Sequence, residues 1–161
     1  MRYLIDGIAI GIGATLLMDL WNLFLKRVFG IPSLNYGFLG RWVLHMPDGT
    51  FRHASVGNAA PKSFERQLGW ITHYTIGVSL AIVFVAIISR DWVARPTLTP
   101  ALIYGVATVV FPFFILQPSL GLGIASASTA NPTKARLKSL ATHFVFGLGM
   151  YLTALLVSRV S

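Results

Sequence analysis

The sequence contains no cysteine, which excludes disulfides, thiolate metal sites and cysteine nucleophiles. Acidic residues are scarce too: five Asp and Glu stand against thirteen Lys and Arg in 161 residues, and charged residues of both signs make up only 11%. A soluble domain carries roughly a quarter. Several catalytic signatures are also missing. There is no H-E-x-x-H, no Walker loop, no G-x-G-x-x-G and no G-x-S-x-G, so zinc hydrolase, nucleotide-binding and serine hydrolase chemistry have no motif behind them. Nothing in the pattern marks an enzyme.

What the sequence does have is apolar length. Hydrophobic residues make up 55% and the mean hydropathy is +0.69. A helix needs about 20 mostly apolar residues to cross the hydrocarbon core, and four stretches qualify: 4–25, 69–89, 100–118 and 140–157. These predict an all-α, polytopic membrane protein, a bundle of four transmembrane helices forming a single integral domain over 1–161. Asp6 and Asp19 interrupt the first stretch, which therefore reads as a retained helix rather than a cleaved signal. Pro100 suits the first turn of its helix, whereas Pro112 lies inside and should kink it. Trp21, Trp70 and Trp92 fall near helix ends, where indole rings favour the interface.

The net charge of +8 sits at the ends of the apolar stretches, so the expected partner is the lipid bilayer and not nucleic acid. The first loop holds Lys26, Arg27, Arg41, Arg52, Lys62 and Arg66, and the third holds Lys134, Arg136 and Lys138; the opposite side has Arg2, Arg90, Arg95 and Arg159. The positive-inside rule then places the first and third loops in the cytoplasm. Within the first loop, Leu34, Phe38, Leu39, Trp42, Val43 and Met46 recur at helical spacing and predict a short interfacial helix. Pro47-Asp48-Gly49 reads as a turn. Gly121, Gly123 and Asn131-Pro132 mark the third loop as irregular.

One segment recurs. Thr72-His73-Tyr74-Thr75-Ile76-Gly77-Val78 in the second stretch parallels Thr142-His143-Phe144-Val145-Phe146-Gly147-Leu148 in the fourth, and Ala14-Thr15 is echoed more weakly by Ala107-Thr108. This predicts two pseudo-repeated helical hairpins in the same orientation. Counting 1.5 Å per residue brings Asp19, His73, Gln117 and His143 to one membrane level. Gly7, Gly11, Thr15 and Asp19 form an i, i+4 ladder, as do His73, Gly77 and Ala81. Small residues beside a polar one permit close helix packing.

An intramembrane carboxylate must be paired, hydrated or protonated, so Asp19, His73, His143 and Gln117 are the candidate ligand- or ion-binding residues. Two imidazoles and a carboxylate suit a divalent metal held by His73, His143 and Asp19. Two symmetric histidines also suit axial ligation of haem, and histidine with aspartate suits a proton or cation relay. His45, Asp48, Arg52 and His53 are candidate loop residues covering such a site. Against these stands a plainer reading, in which the polar residues only fix helix packing within an accessory or assembly subunit.

Ala14-Thr15 with Met18-Asp19-Leu20-Trp21, Arg41-Trp42 with His45, and Phe51-Arg52-His53 form part of a larger pattern. It continues through Gly69-Trp70 with His73-Tyr74 and Gly77, Arg95-Pro96-Thr97, and Gln117-Pro118 with Gly121 and Gly123. Ala135-Arg136-Leu137, Thr142-His143 and Phe146-Gly147 complete it. The combination resembles a bacterial family of small inner-membrane proteins defined as a domain of unknown function, and it spans nearly the whole chain. The resemblance implies a four-helix inner-membrane protein and no particular reaction. The functional expectation is thus a binding or permeation protein for an ion or small solute. Because four helices make a small wall for a pore, permeation also implies a homo-oligomer or a larger membrane complex.

Overall fold

The computed structural model describes residues 2–88 and 90–159. Ser89, the expected end of the second span, lies outside the described residues, as do the side chains of Arg2 and Arg90 that enter the charge count. Every described element is helical: α1 (Arg2–Phe29), α2 (Tyr36–His45), α3 (Glu65–Ile88), α4 (Arg90–Ala94), α5 (Leu98–Ala107), α6 (Gln117–Ser119) and α7 (Pro132–Val157). No strand occurs among the described residues.

Four helical stretches are long and apolar enough to cross a membrane: Leu4–Phe29, Glu65–Ile88, Leu98–Ser119 and Pro132–Val157, with mean hydropathies of 1.7, 2.1, 1.9 and 1.8. They are the four expected spans, each longer than its apolar portion. In α7 the difference is largest. Pro132 occupies the first helical position, and the Asn131 side chain accepts a hydrogen bond from the Lys134 amide at 3.0 Å, so the helix is capped about two turns before the apolar run begins. At most 39% of any span is buried by the protein itself. Ile71, Ile87, Ile103 and Leu156 stand more than 60% exposed, an arrangement suited to lipid and costly in water.

The third span is broken as Pro112 requires. Proline lacks the amide that would bond to Thr108 and its ring crowds that carbonyl. The chain leaves α5 at Ala107 and resumes as a π-helical turn over Pro112–Leu116, closed by the Gln117 amide on the Pro112 carbonyl. Inserted π turns of this kind are a recognised cause of helix kinks.

The chain divides into two compact units. The first comprises residues 1–33, 74–108 and 140–161. Its core contains Ile10, Ala14, Ala81, Phe84, Phe146, Met150 and Ala154. Backbones approach closely where side chains vanish: a Cβ on Gly11 would lie 2.5 Å from the Val78 Cα, and one on Gly149 would lie 2.7 Å from the Ala14 Cα. Without a hydrophobic force to join helices in lipid, such contacts supply packing instead.

The second unit comprises residues 34–73 and 109–139. Here α2 is the expected short helix of the first loop, started by Asn35, whose side chain accepts from the Gly37 amide at 2.9 Å. Gly40 and Gly69 bring α2 and the start of α3 into backbone contact, since a Cβ at either would strike the other helix. The Pro47-Asp48-Gly49 turn also forms, as a 3-10 turn ending on Gly49 at φ +78°, a conformation that favours glycine. Beyond it the loop is tied to the end of the third span by His53 N to Ser119 O (2.9 Å) and Val56 N to Leu120 O (3.1 Å).

Candidate functional site

In the first unit two polar pairs involve the expected site residues. The Tyr74 hydroxyl donates to the Asp19 carboxylate, giving the intramembrane acid the partner that its position demands. At the C-terminal end of α5, the hydroxyl of the capping residue Thr108 lies 2.6 Å from the Gly105 carbonyl and 2.8 Å from His143 Nδ1. A carbonyl oxygen only accepts, and the hydroxyl has a single proton. That proton is therefore committed to Gly105, and Nδ1–H of His143 must donate to Thr108. The imidazole is fixed in its Nδ1-protonated tautomer, and the basic lone pair resides on Nε2. In Thr108→Ala this constraint is lost. Nitrogen NMR of labelled protein should then show His143 moving toward the Nε2-protonated form that prevails without such a bond; an unchanged tautomer would refute the hydrogen-bond direction.

His73 belongs to the second unit and is held differently. Its Nε2 is 3.0 Å from the Tyr36 hydroxyl, and the two rings stack at 4.3 Å between centroids with 26° between planes. Trp70 packs on the same tyrosine at 4.3 Å. Gln117 is also in this unit: its Nε2 donates to Ser139 Oγ at 3.3 Å, while its buried Oε1 has no hydrogen-bond partner among the described residues. Among the described residues no group of three or more His, Asp or Glu side chains gathers closely enough to hold a metal ion.

The strongest electrostatic feature of the second unit is Arg41. Its Nε and Nη2 meet the two oxygens of Glu65 at 2.8 Å each, in a bidentate pair. Its Nη1 lies 3.0–3.3 Å from the carbonyls of Val56, Gly57 and Ala59. The guanidinium is nearly buried, with a side-chain exposure of 9%, and the Glu65 carboxylate raises its pKa further above the usual range. Glu65 also accepts from the Lys62 amide at 3.1 Å. One side chain on α2 thus closes the loop between residues 56 and 65.

The four expected loop residues are placed around this clasp. His45 Nε2 donates to the Ala60 carbonyl at 3.0 Å, and its ring meets that of His53 edge-on at 5.2 Å. Asp48 pairs with Lys62 at 2.7 Å, an exposed pair of small energetic weight. Burial, followed by the neighbouring His45 and Arg41, holds the His53 pKa below the ordinary imidazole value. Arg52 and His53 line an open cleft with Ala54, Gly121, Gly123 and Ser128. Tyr36 and Glu65 escaped the sequence reading, and Tyr74 and Thr108 entered it only as members of the repeat or of the family pattern. Each acts through a partner on another helix or loop, and no local pattern announces that.

Four long apolar helices with internally paired polar groups define a helical membrane protein. The chain matches the family described as Protein of unknown function (DUF2938) over residues 8–157, and it belongs to that family. No curated protein and no solved structure matches it.

Proposed function

We propose that the protein binds a proton or small cation at the polar pairs of its first unit, and passes it across a bacterial inner membrane with the first and third loops cytoplasmic. The observation that carries this reading is the 2.8 Å contact between His143 Nδ1 and the Thr108 hydroxyl, which orients a titratable ring within the first unit. Asp19, held by Tyr74, serves as the charge-balancing carboxylate. A histidine titrates near neutral pH and a nearby membrane carboxylate can follow it. Passage, as opposed to binding, calls for a homo-oligomer or a larger complex to complete the wall.

The inferred repeat belongs to the same reading. Gly77 on α3 packs against Thr15 on α1, and Gly147 on α7 packs against Ala101 on α5, so the glycine of each Thr-His motif meets a neighbouring helix. Proton flux into liposomes containing the purified protein, followed with an entrapped pH dye, tests the proposal. Asp19→Asn is expected to lower that flux about tenfold or more, as the loss of a relay carboxylate should. Equal flux in the two proteins would overturn it.

The plainer reading rests on the fact that Asp19, His73 and His143 each already have an internal partner. On that reading the protein is an accessory subunit. No flux above empty liposomes is seen with the wild type, and Asp19→Asn only lowers the melting temperature.

A further inference from the structure

We propose that the cleft lined by Arg52, His53, Ala54, Gly121, Gly123 and Ser128 binds a phosphate group, either free or on a lipid headgroup. This site lies wholly within the second unit and is independent of the proton or cation reading above.

The charge balance comes first. Residues 34–73 and 109–139 contain seven basic and two acidic side chains, a surplus of five. Both acids are already engaged, Glu65 by Arg41 and Asp48 by Lys62. Arg52 is exposed and makes no ion pair or hydrogen bond among the described residues. A planar guanidinium with all its donors uncommitted is the side chain best matched to phosphate oxygens.

The second observation is His53. It is 9% exposed, and its Nε2 is buried without a hydrogen-bond partner. A buried imidazole nitrogen left unsatisfied is costly unless something else bonds it. His53 lines the cleft beside Arg52, and in its Nε2-protonated tautomer the ring can turn that N–H toward an anion seated there.

The backbone supplies the rest. Among the described residues the amides of Ala54 and Gly123 donate to no protein acceptor. Gly121, at φ +87°, touches the backbone of His53 and Ala54, where any Cβ would collide with the Ala54 carbonyl. Gly123, at φ +75°, lies against Ser128, and a Cβ there would come within 2.9 Å of the Ser128 amide. Past them, Ala125 and Ser126 hold positive φ of 48° and 60° although neither is glycine. That strained turn is braced by Arg136, whose Nε donates to the Ala125 carbonyl at 2.8 Å. Strain of this kind persists where surrounding structure enforces it, and turns with left-handed residues commonly present amides to anions. The cleft has a volume of about 340 Å³, enough for a phosphate together with its ester substituent.

Isothermal calorimetry on the full-length protein in detergent tests this, with three probes: inorganic phosphate, short-chain phosphatidic acid and short-chain phosphatidylglycerol. Saturable binding of at least one is expected. Arg52→Gln should weaken it about tenfold or more, and Ser128→Ala by a few-fold. Arg66→Gln removes the same charge from an exposed site outside the cleft and should change affinity less than about twofold. Inorganic phosphate that saturates alone and displaces the lipids identifies free phosphate as the ligand. Lipid binding that inorganic phosphate does not compete away identifies a headgroup aided by its acyl chains. Absence of saturable binding by all three probes, or an equal loss in Arg66→Gln and Arg52→Gln, overturns the site.

Discussion

Replacing Arg41 with Met is expected to destabilise the second unit by about 3–5 kcal/mol, the scale observed when one partner of a buried ion pair is removed. The methionine fills similar volume but leaves the Glu65 carboxylate without its counter-charge. It also leaves the carbonyls of Val56, Gly57 and Ala59 without their donor. Arg41→Lys restores charge but not the bidentate geometry, since a lysine has three donors on one point, and should recover only part of the loss. The double variant Arg41→Met/Glu65→Gln should be less damaged than Arg41→Met, because the buried uncompensated charge is gone. Thermal melting in detergent reads the first effect. Hydrogen exchange over residues 56–65 locates it, and unchanged protection there would refute the assigned role.

The second large effect lies at the helix crossings of the first unit. Gly11→Ala places a methyl group 2.5 Å from the Val78 Cα, which backbone atoms cannot yield to without separating α1 from α3. Overpacking of this kind costs about 1–3 kcal/mol, and more for bulkier residues. Gly11→Val should therefore be recovered mainly as aggregate, and Gly11→Ala should melt earlier than wild type. Gly57→Ala is the contrasting case: its nearest neighbour is 3.6 Å away on the Phe38 ring, so it should be tolerated. Size-exclusion profiles and melting temperatures of the three variants decide the matter, and equal behaviour of Gly11→Ala and Gly57→Ala would contradict the close crossing.

The four spans were legible in the sequence because membrane insertion is a local sum over about 20 residues. The starts of α3 and α7 were not, because their first turns are polar and hydropathy ignores a capped polar turn. Pro112 announced its own break through a missing amide, although the particular form, a π turn, depends on how the following residues close. The loop helix was legible from its period, and Asp48 from its turn. The Arg41–Glu65 pair was not: the two residues are 24 positions apart, and a glutamate in the first turn of a helix has a sufficient local explanation in the helix dipole. The histidines were visible as a repeated motif, but what each ring touches depends on helix register. Identical Thr-His pairs therefore meet different partners, Thr108 for His143 and Tyr36 for His73.

A chain without cysteine still has to close its long loop, and Arg41 does so with a cross-link that no electron transfer can make or break. A disulfide across a loop of that length would contribute about 3–3.5 kcal/mol by chain entropy, but its presence would follow the thiol poise of the compartment and the supply of an oxidant. The guanidinium–carboxylate clasp forms as soon as the chain folds, in reducing and oxidising surroundings alike. It also opens without a reductant, so the loop it holds remains free to exchange between closed and open forms at the rate of ordinary local unfolding.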